Sequence, residues 1–211
     1  MKPSFDPAFR AQFRDLVLWR RDVRRFRRDP VPRERIDGLI EIATHAPSVG
    51  LSQPWRFVIV DSAERRRAVL EDFRACNAAA LASYDGEEAA RYATLKLAGL
   101  AEAPAQLAVF ADRTTETGHG LGQRTMPEMA EYSVVAAIMA MWLAARAEGI
   151  GMGWVSILDP ARIATILDVP AGWRLVGYFC LGFPEGQHAE PELERAGWEQ
   201  RHPAESFVLR R

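Results

Sequence analysis

The segment from Glu128 to Glu148 constrains this chain more than any other. It is alanine-rich and apolar on nearly every side, through Tyr132, Val134, Val135, Ile138, Met139, Met141, Trp142 and Leu143. A helix without a polar face must be buried, in a core or between subunits. Its longest unbroken apolar run, Val134 to Ala145, falls well short of the ~20 residues of a spanning helix, so no membrane segment is expected. The remaining chain can supply the cover. Of 211 residues, 48% are hydrophobic and 26% charged, the usage of a globular protein with a real core. Twenty-seven basic residues against 28 acidic ones leave a formal charge of -1, which argues against general binding to nucleic acid or to a membrane surface. Cys76 and Cys180 show neither disulfide-framework nor metal-site spacing. Met1 to Asp6 lacks the apolar stretch of an export signal, and a reducing, cytoplasmic setting is expected.

No linker, repeat or low-complexity tract divides the sequence, which reads as one domain, residues 1–211. Ile36, Leu39, Ile40 and Ala43 recur at helical spacing after Pro32. The polar loop Ser48 to Trp55 then leads into a strand over Arg56 to Val60. Glu64 to Ala82 and Glu87 to Ala101 read as helices and Gln106 to Ala111 as a buried strand. Asp112 to Pro127 is long for a loop, against the usual ~4–6 residues, and suggests a lid or a mobile segment. After the central helix, Gly149 to Gly153 precede a strand over Trp154 to Leu158. Asp159-Pro160 opens a short helix to Leu167, and Leu175 to Gly182 forms a fourth strand. Beyond Pro184 the chain is polar, with Trp198 and Phe207 as its only large anchors, so this tail needs something to dock on.

No phosphate-binding P-loop, dinucleotide fingerprint, serine-hydrolase elbow or metal-spaced histidine set occurs. What stands out is Arg20 to Arg28, where six of nine residues are arginine; guanidinium forks pair with phosphate. On residue type alone a solvated basic face is the more common explanation of such a run. Asp22 stands alone inside it, either compensating charge or orienting and accepting protons beside an anionic ligand. Ser48, Ser52 and Gln53 can bond a polyol or heterocycle edge, or simply their own turn. Ser156, among aliphatics in the expected strand, reads as a buried hydroxyl bonded to backbone.

Taken in order, Arg20-Arg21-Asp22-Val23-Arg24-Arg25-Phe26, Ala46-Pro47-Ser48 to Gln53-Pro54-Trp55, the central helix and Gly149 to Ser156 resemble the nitroreductase-like flavoprotein superfamily. The resemblance covers residues 15–201. Asp22 in place of the more usual serine, Gln123 to Met129, and Gly153-Trp154-Val155-Ser156 are most similar to its 5,6-dimethylbenzimidazole synthase (BluB) branch. The resemblance implies an α+β fold, with a mixed, mostly antiparallel sheet surrounded by helices. It also implies a homodimer with FMN sites at the interface and an exchanged carboxyl-terminal arm, about residues 185–211. The implied reaction fragments reduced FMN with molecular oxygen to 5,6-dimethylbenzimidazole, the lower ligand of cobalamin, without a metal; a separate flavin reductase would supply the reduced FMN. Carried over by position, Arg20, Arg21 and Arg24 hold phosphate and the flavin pyrimidine edge, Ser48 and Ser52 line ribityl and ring, and Val23, Leu97 and Trp154 complete the pocket. Arg201, or else Arg195, adds a contact from the tail. Asp22 is the implied base, Ser156 an orienting hydroxyl, and the Asp112 to Pro127 loop a cover. An NAD(P)H-dependent nitroreductase or flavin reductase on the same fold, and a non-catalytic FMN-binding module, are the alternatives.

Overall fold

Every residue of Ala105–Asp112 is buried, which requires cover on both faces and a strand on either side. The computed structural model, which describes residues 4–211, provides both. Met1 to Pro3, the start of the amino end read above for an export signal, lie outside the described residues. Four strands, β1 (Trp55–Ile59), β2 (Ala105–Asp112), β3 (Gly151–Val155) and β4 (Trp173–Gly182), form one sheet in the order β1-β2-β4-β3. All three pairings are antiparallel. The parallel element is a single bridge, Asp22 to Met152, on the outer edge of β3.

Strand alternation sends Leu107, Val109, Ala111, Phe179 and Leu181 to one face and Ala108, Phe110, Tyr178 and Cys180 to the other. On the first face lie α2 (Arg33–Thr44) and α5 (Met129–Ala147). On the second lie α3 (Ala63–Leu81) and α6 (Pro160–Leu167). By length and apolarity α5 could cross a bilayer, yet Val134, Ala137, Ile138, Met141 and Ala145 are fully buried on the sheet. Its opposite side stays open at Tyr132, Val135 and Met139.

Three elements depart from the sequence expectation. The helix α1 (Pro7–Trp19), capped by Asp6, buries none of its residues, so no core-facing stripe marked it. The helix expected from Glu87 to Ala101 stops early: α4 is Gly86–Thr94. The third strand starts at Gly151 rather than Trp154; its glycines belong to the strand because another segment approaches their bare edge, as described below. The carboxyl-terminal tail docks in part on its own chain. Trp198 packs against Tyr84 and Tyr92 at ring distances of 5.7 and 6.1 Å, and the short helix α7 (Glu192–Arg195) is tied by Glu192 to Arg25. The stretch past Trp198, with Phe207, Val208 and Leu209 exposed, is left without cover.

Candidate functional site

Arg20 to Phe26 run extended along the free edge of β3. Val23 N–H donates to the Met152 carbonyl at 3.1 Å. The approach is close enough that a Cβ at Gly153 would overlap the Val23 carbonyl oxygen, which explains a glycine there. Asp22 Oδ1 accepts the Trp154 N–H at 2.8 Å and Oδ2 accepts Arg24 Nε at 2.8 Å. Arg24 Nη1 donates to the Lys96 carbonyl at 3.0 Å, tying in the segment before β2. One small pocket is therefore shared by Asp22, Val23, Arg24, Leu97 and Trp154, with Cys180 at its base. Burial pushes the Cys180 thiol up to about 12, with Asp22 adding to the effect, so it stays an inert thiol. Ser156 is not the buried strand hydroxyl expected: β3 ends at Val155, so Ser156 lies past it and is exposed. The Trp154 ring turns the other way, onto Phe179 at 5.1 Å, so its backbone rather than its indole faces Asp22.

Beside this pocket opens a cavity of about 380 Å³ whose lining includes Arg20, Arg21, Arg24, Arg25, Arg146 and Arg195. Arg20 stacks over Trp142 at 4.8 Å, and Trp142 Nε1 donates to the Arg21 carbonyl at 3.2 Å. The Arg21 guanidinium is pinned by the Arg20, Leu18 and Ala189 carbonyls, while its Nε is buried with no partner. Burial lowers Arg20, against the pull of Asp22, and Arg201 lowers it further. Arg21 is lowered by burial, then by Arg201 and Arg20. Both remain cations at neutral pH. Positive groups half-withdrawn from water, with one donor unmet, suit a dianionic phosphate. These residues therefore fit the phosphate end of FMN; of the tail arginines, Arg195 lines the cavity and Arg201 is near enough for its charge to reach Arg20 and Arg21.

Ser48 and Ser52 are elsewhere in the protomer. Their turn rests on the beginning of α5, where Val49 N–H donates to Ser133 Oγ at 3.0 Å. Ser48 Oγ accepts the Gln53 N–H at 3.1 Å, and Ser52 Oγ is buried without a partner. The arginine segment meets α5 at Trp142, nine residues after Ser133, about 13 Å along the axis. The Asp112 to Pro127 loop also belongs to the serine end: Gly118 packs on the Gly50 backbone, too tightly for a side chain. Within one chain, then, Asp22, Val23, Arg24, Leu97 and Trp154 gather at the β3 edge, with Arg20 and Arg21 beside them; Ser156 stands past the end of the strand, outside that pocket. The two serines and the loop lie at the far end of α5. Sequence reasoning missed Trp142 and Arg146 as cavity residues, since the one reads as core and the other as the last charge of an apolar helix.

The pattern defining the nitroreductase family matches residues 17–183. The chain is 57% identical to a 5,6-dimethylbenzimidazole synthase of Rhodospirillum rubrum over 201 residues, 95% of each chain. It is 46% identical to a protein of the same name from Rhodobacter capsulatus, covering 96% of this chain and 98% of that one. Its fold is similar to that of iodotyrosine deiodinase crystallised with FMN and 3-iodo-L-tyrosine, at a TM-score of 0.68 and 22% identity over 94% of this chain and 97% of that one. The family pattern thus spans the arginine segment, the serine turn, α5 and β3 together, and the chain belongs to the nitroreductase family.

Proposed function

We propose that this protein is a 5,6-dimethylbenzimidazole synthase that consumes reduced FMN and molecular oxygen. The observation that carries the reading is the full-length identity of 57% to a synthase of that name; the aspartate held inside the arginine cluster supports it. Bound reduced FMN supplies the electrons and the ring carbons of the product. Arg20 and Arg21 hold the phosphate, and Arg201 closes on it from the tail. Asp22, fixed by the Trp154 amide and Arg24, accepts protons at the carboxylate oxygens, as a positioned base does. Arg24 orients that carboxylate, and the Ser156 hydroxyl supplies a hydrogen bond at the rim. Leu97 and Val23 exclude water.

The protein works in this reading as a homodimer. Antiparallel pairing of two α5 helices about Met139 brings the Ser48–Ser52 turn and the 112–127 loop of one protomer to the arginine cavity of the other. The site is then complete only across the interface, with the exposed tail beyond Trp198 covering the neighbour. A separate flavin reductase delivers the reduced flavin.

The test is to mix the protein with chemically reduced FMN in air and analyse products by chromatography and mass. Dimethylbenzimidazole appearing with matching loss of flavin is the expected result. Intact oxidised FMN, with steady NADH oxidation when an electron acceptor is added, would favour an NAD(P)H-dependent reductase instead; binding with neither reaction would leave an FMN carrier.

A further inference from the structure

The most deeply buried charged side chain among the described residues is Asp72 of α3, with no exposed surface, and it has no part in the chemistry above. Its Oδ2 accepts the Asp159 backbone N–H at 2.9 Å and faces Cys76 Sγ at 3.8 Å. Its Oδ1 stands 3.3 Å from Arg162 Nε without the alignment of a hydrogen bond. Burying a carboxylate is costly, and an apolar residue of the same volume is often the more stable choice. A carboxylate at this position therefore points to a geometric requirement.

That requirement lies in the turn that follows β3. Residues 156–159 lead from Val155 into α6, and Asp159 ends the turn. Asp159 Oδ1 caps α6 by accepting the Ala161 and Arg162 N–H groups at 2.9 and 3.2 Å. Two carboxylates thus act in series: Asp72 holds the Asp159 backbone from α3, and Asp159 holds the first turn of α6. The other end of α6 is held from the same helix, since Arg65 Nη1 donates to the Leu167 carbonyl at 3.0 Å. Before the turn, the Trp154 amide is fixed by Asp22. Ser156 accordingly sits between two carboxylate clamps, one on the amide two residues before it and one on the amide three residues after it. Burial, together with Asp72 and Asp159, pushes the Cys76 thiol up, which keeps it protonated beside Asp72.

We propose that Asp72 is a positioning residue that fixes the Ser156–Asp159 turn from α3 and so sets where the Ser156 hydroxyl stands at the edge of the flavin site. The proposal rests on the part given to Ser156 above.

The experiment compares full-length wild type with Asp72→Asn, which keeps the volume and one acceptor, with Asp72→Ala, and with Arg162→Gln, which leaves the bond to the Asp159 amide in place. Hydrogen exchange is followed peptide by peptide, FMN affinity by fluorescence quenching, and product formation from reduced FMN by chromatography. In Asp72→Ala, exchange over residues 156–162 should quicken at least 10-fold while peptides of β2 and β4 keep their wild-type protection. FMN affinity should stay within about 3-fold, and the rate at saturating flavin should fall about 10-fold with little change in KM. Asp72→Asn should lie between Asp72→Ala and wild type, and Arg162→Gln nearer wild type. Wild-type exchange over 156–162 in Asp72→Ala would overturn the clamp. So would exchange raised equally throughout the chain, which describes a residue serving only general stability. A locally loosened turn with an unchanged rate would overturn its bearing on Ser156. If Asp72→Ala does not fold, the same criteria apply to Asp72→Asn. Because exchange is read without any reaction, a wild type that forms no product sinks the functional reading alone and leaves the clamp to be judged by exchange.

Discussion

Asp22 has both oxygens engaged, one on the Trp154 amide and one on Arg24, so its replacement acts on structure and chemistry at once. In Asp22→Asn the amide keeps one acceptor and turns an NH2 toward a donor. The lost charge-assisted bond is worth about 2 kcal/mol, a fall in Tm of several degrees at this chain length. If Asp22 is the base, product formation should drop about 100-fold or more while FMN affinity stays near wild type; loss of flavin binding with the product would make the residue structural. Asp112 gives a second test, independent of function. Burial alone would raise its carboxyl, but the Thr114 hydroxyl and amide and the Arg56 guanidinium outweigh it and hold the group below its ordinary value. A depressed carboxylate stabilises the fold above the unfolded pKa, and that stability is lost as pH falls through the folded one. Asp112→Asn should therefore melt below wild type at pH 7, and the two melting curves should converge below pH ~4. A constant gap across that range would show that the ion pair with Arg56 does not contribute.

At the scale of elements, what the sequence disclosed follows from which patterns are local. The helix α5 was evident because an all-apolar segment has one outcome, burial, whatever covers it. The arginine segment and the glycines of β3 were evident as motifs, but the strand was placed three residues late. The reason a glycine belongs there is the Val23 carbonyl, contributed from more than 100 residues away. Phe5, just before α1, and Phe9, Phe13 and Val17 within it are all exposed, so this pattern has no partner within the chain. Asp72 could not be found at all, since its partner amide lies 87 residues on. The tail was recognised as needing an anchor, and Trp198 provides it on the chain's own α4 side. In Trp198→Ala the loss of two edge-on aromatic contacts, about 1 kcal/mol each, should free the tail. Trypsin should then cut at Arg195 and Arg201 several-fold faster, and if Arg201 holds the phosphate as proposed, FMN affinity should fall with it. Unchanged cleavage would mean that α7 and its pair with Arg25 suffice to hold the tail.

The whole molecule leaves its halves of a site apart: cationic cavity at one end of α5, serine turn at the other, and between them an open apolar stripe of Tyr132, Val135 and Met139. Leu51, Leu121 and Met126 are exposed as well, and exposed apolar surface of this kind marks sites of protein–protein contact. A two-fold partner uses the same patch on both sides. With Met139 on the axis, Tyr132 of one helix faces the partner at Arg146, because both lie seven residues from it. In the proposed dimer the serine end of one protomer then meets the arginine end of the other. Met139→Glu places two carboxylates side by side at the axis, where like charges have no counter-ion, and should convert the protein to a monomer in light scattering. The same variant should lose FMN affinity at least 10-fold although it touches none of the proposed flavin contacts, because in the proposed dimer each cavity takes that turn from its neighbour. Met139→Leu, which keeps the apolar volume, should restore both. A Met139→Glu monomer that binds FMN as wild type does would show that one chain's arginine cavity suffices, and the serine turn would then have no place in the site.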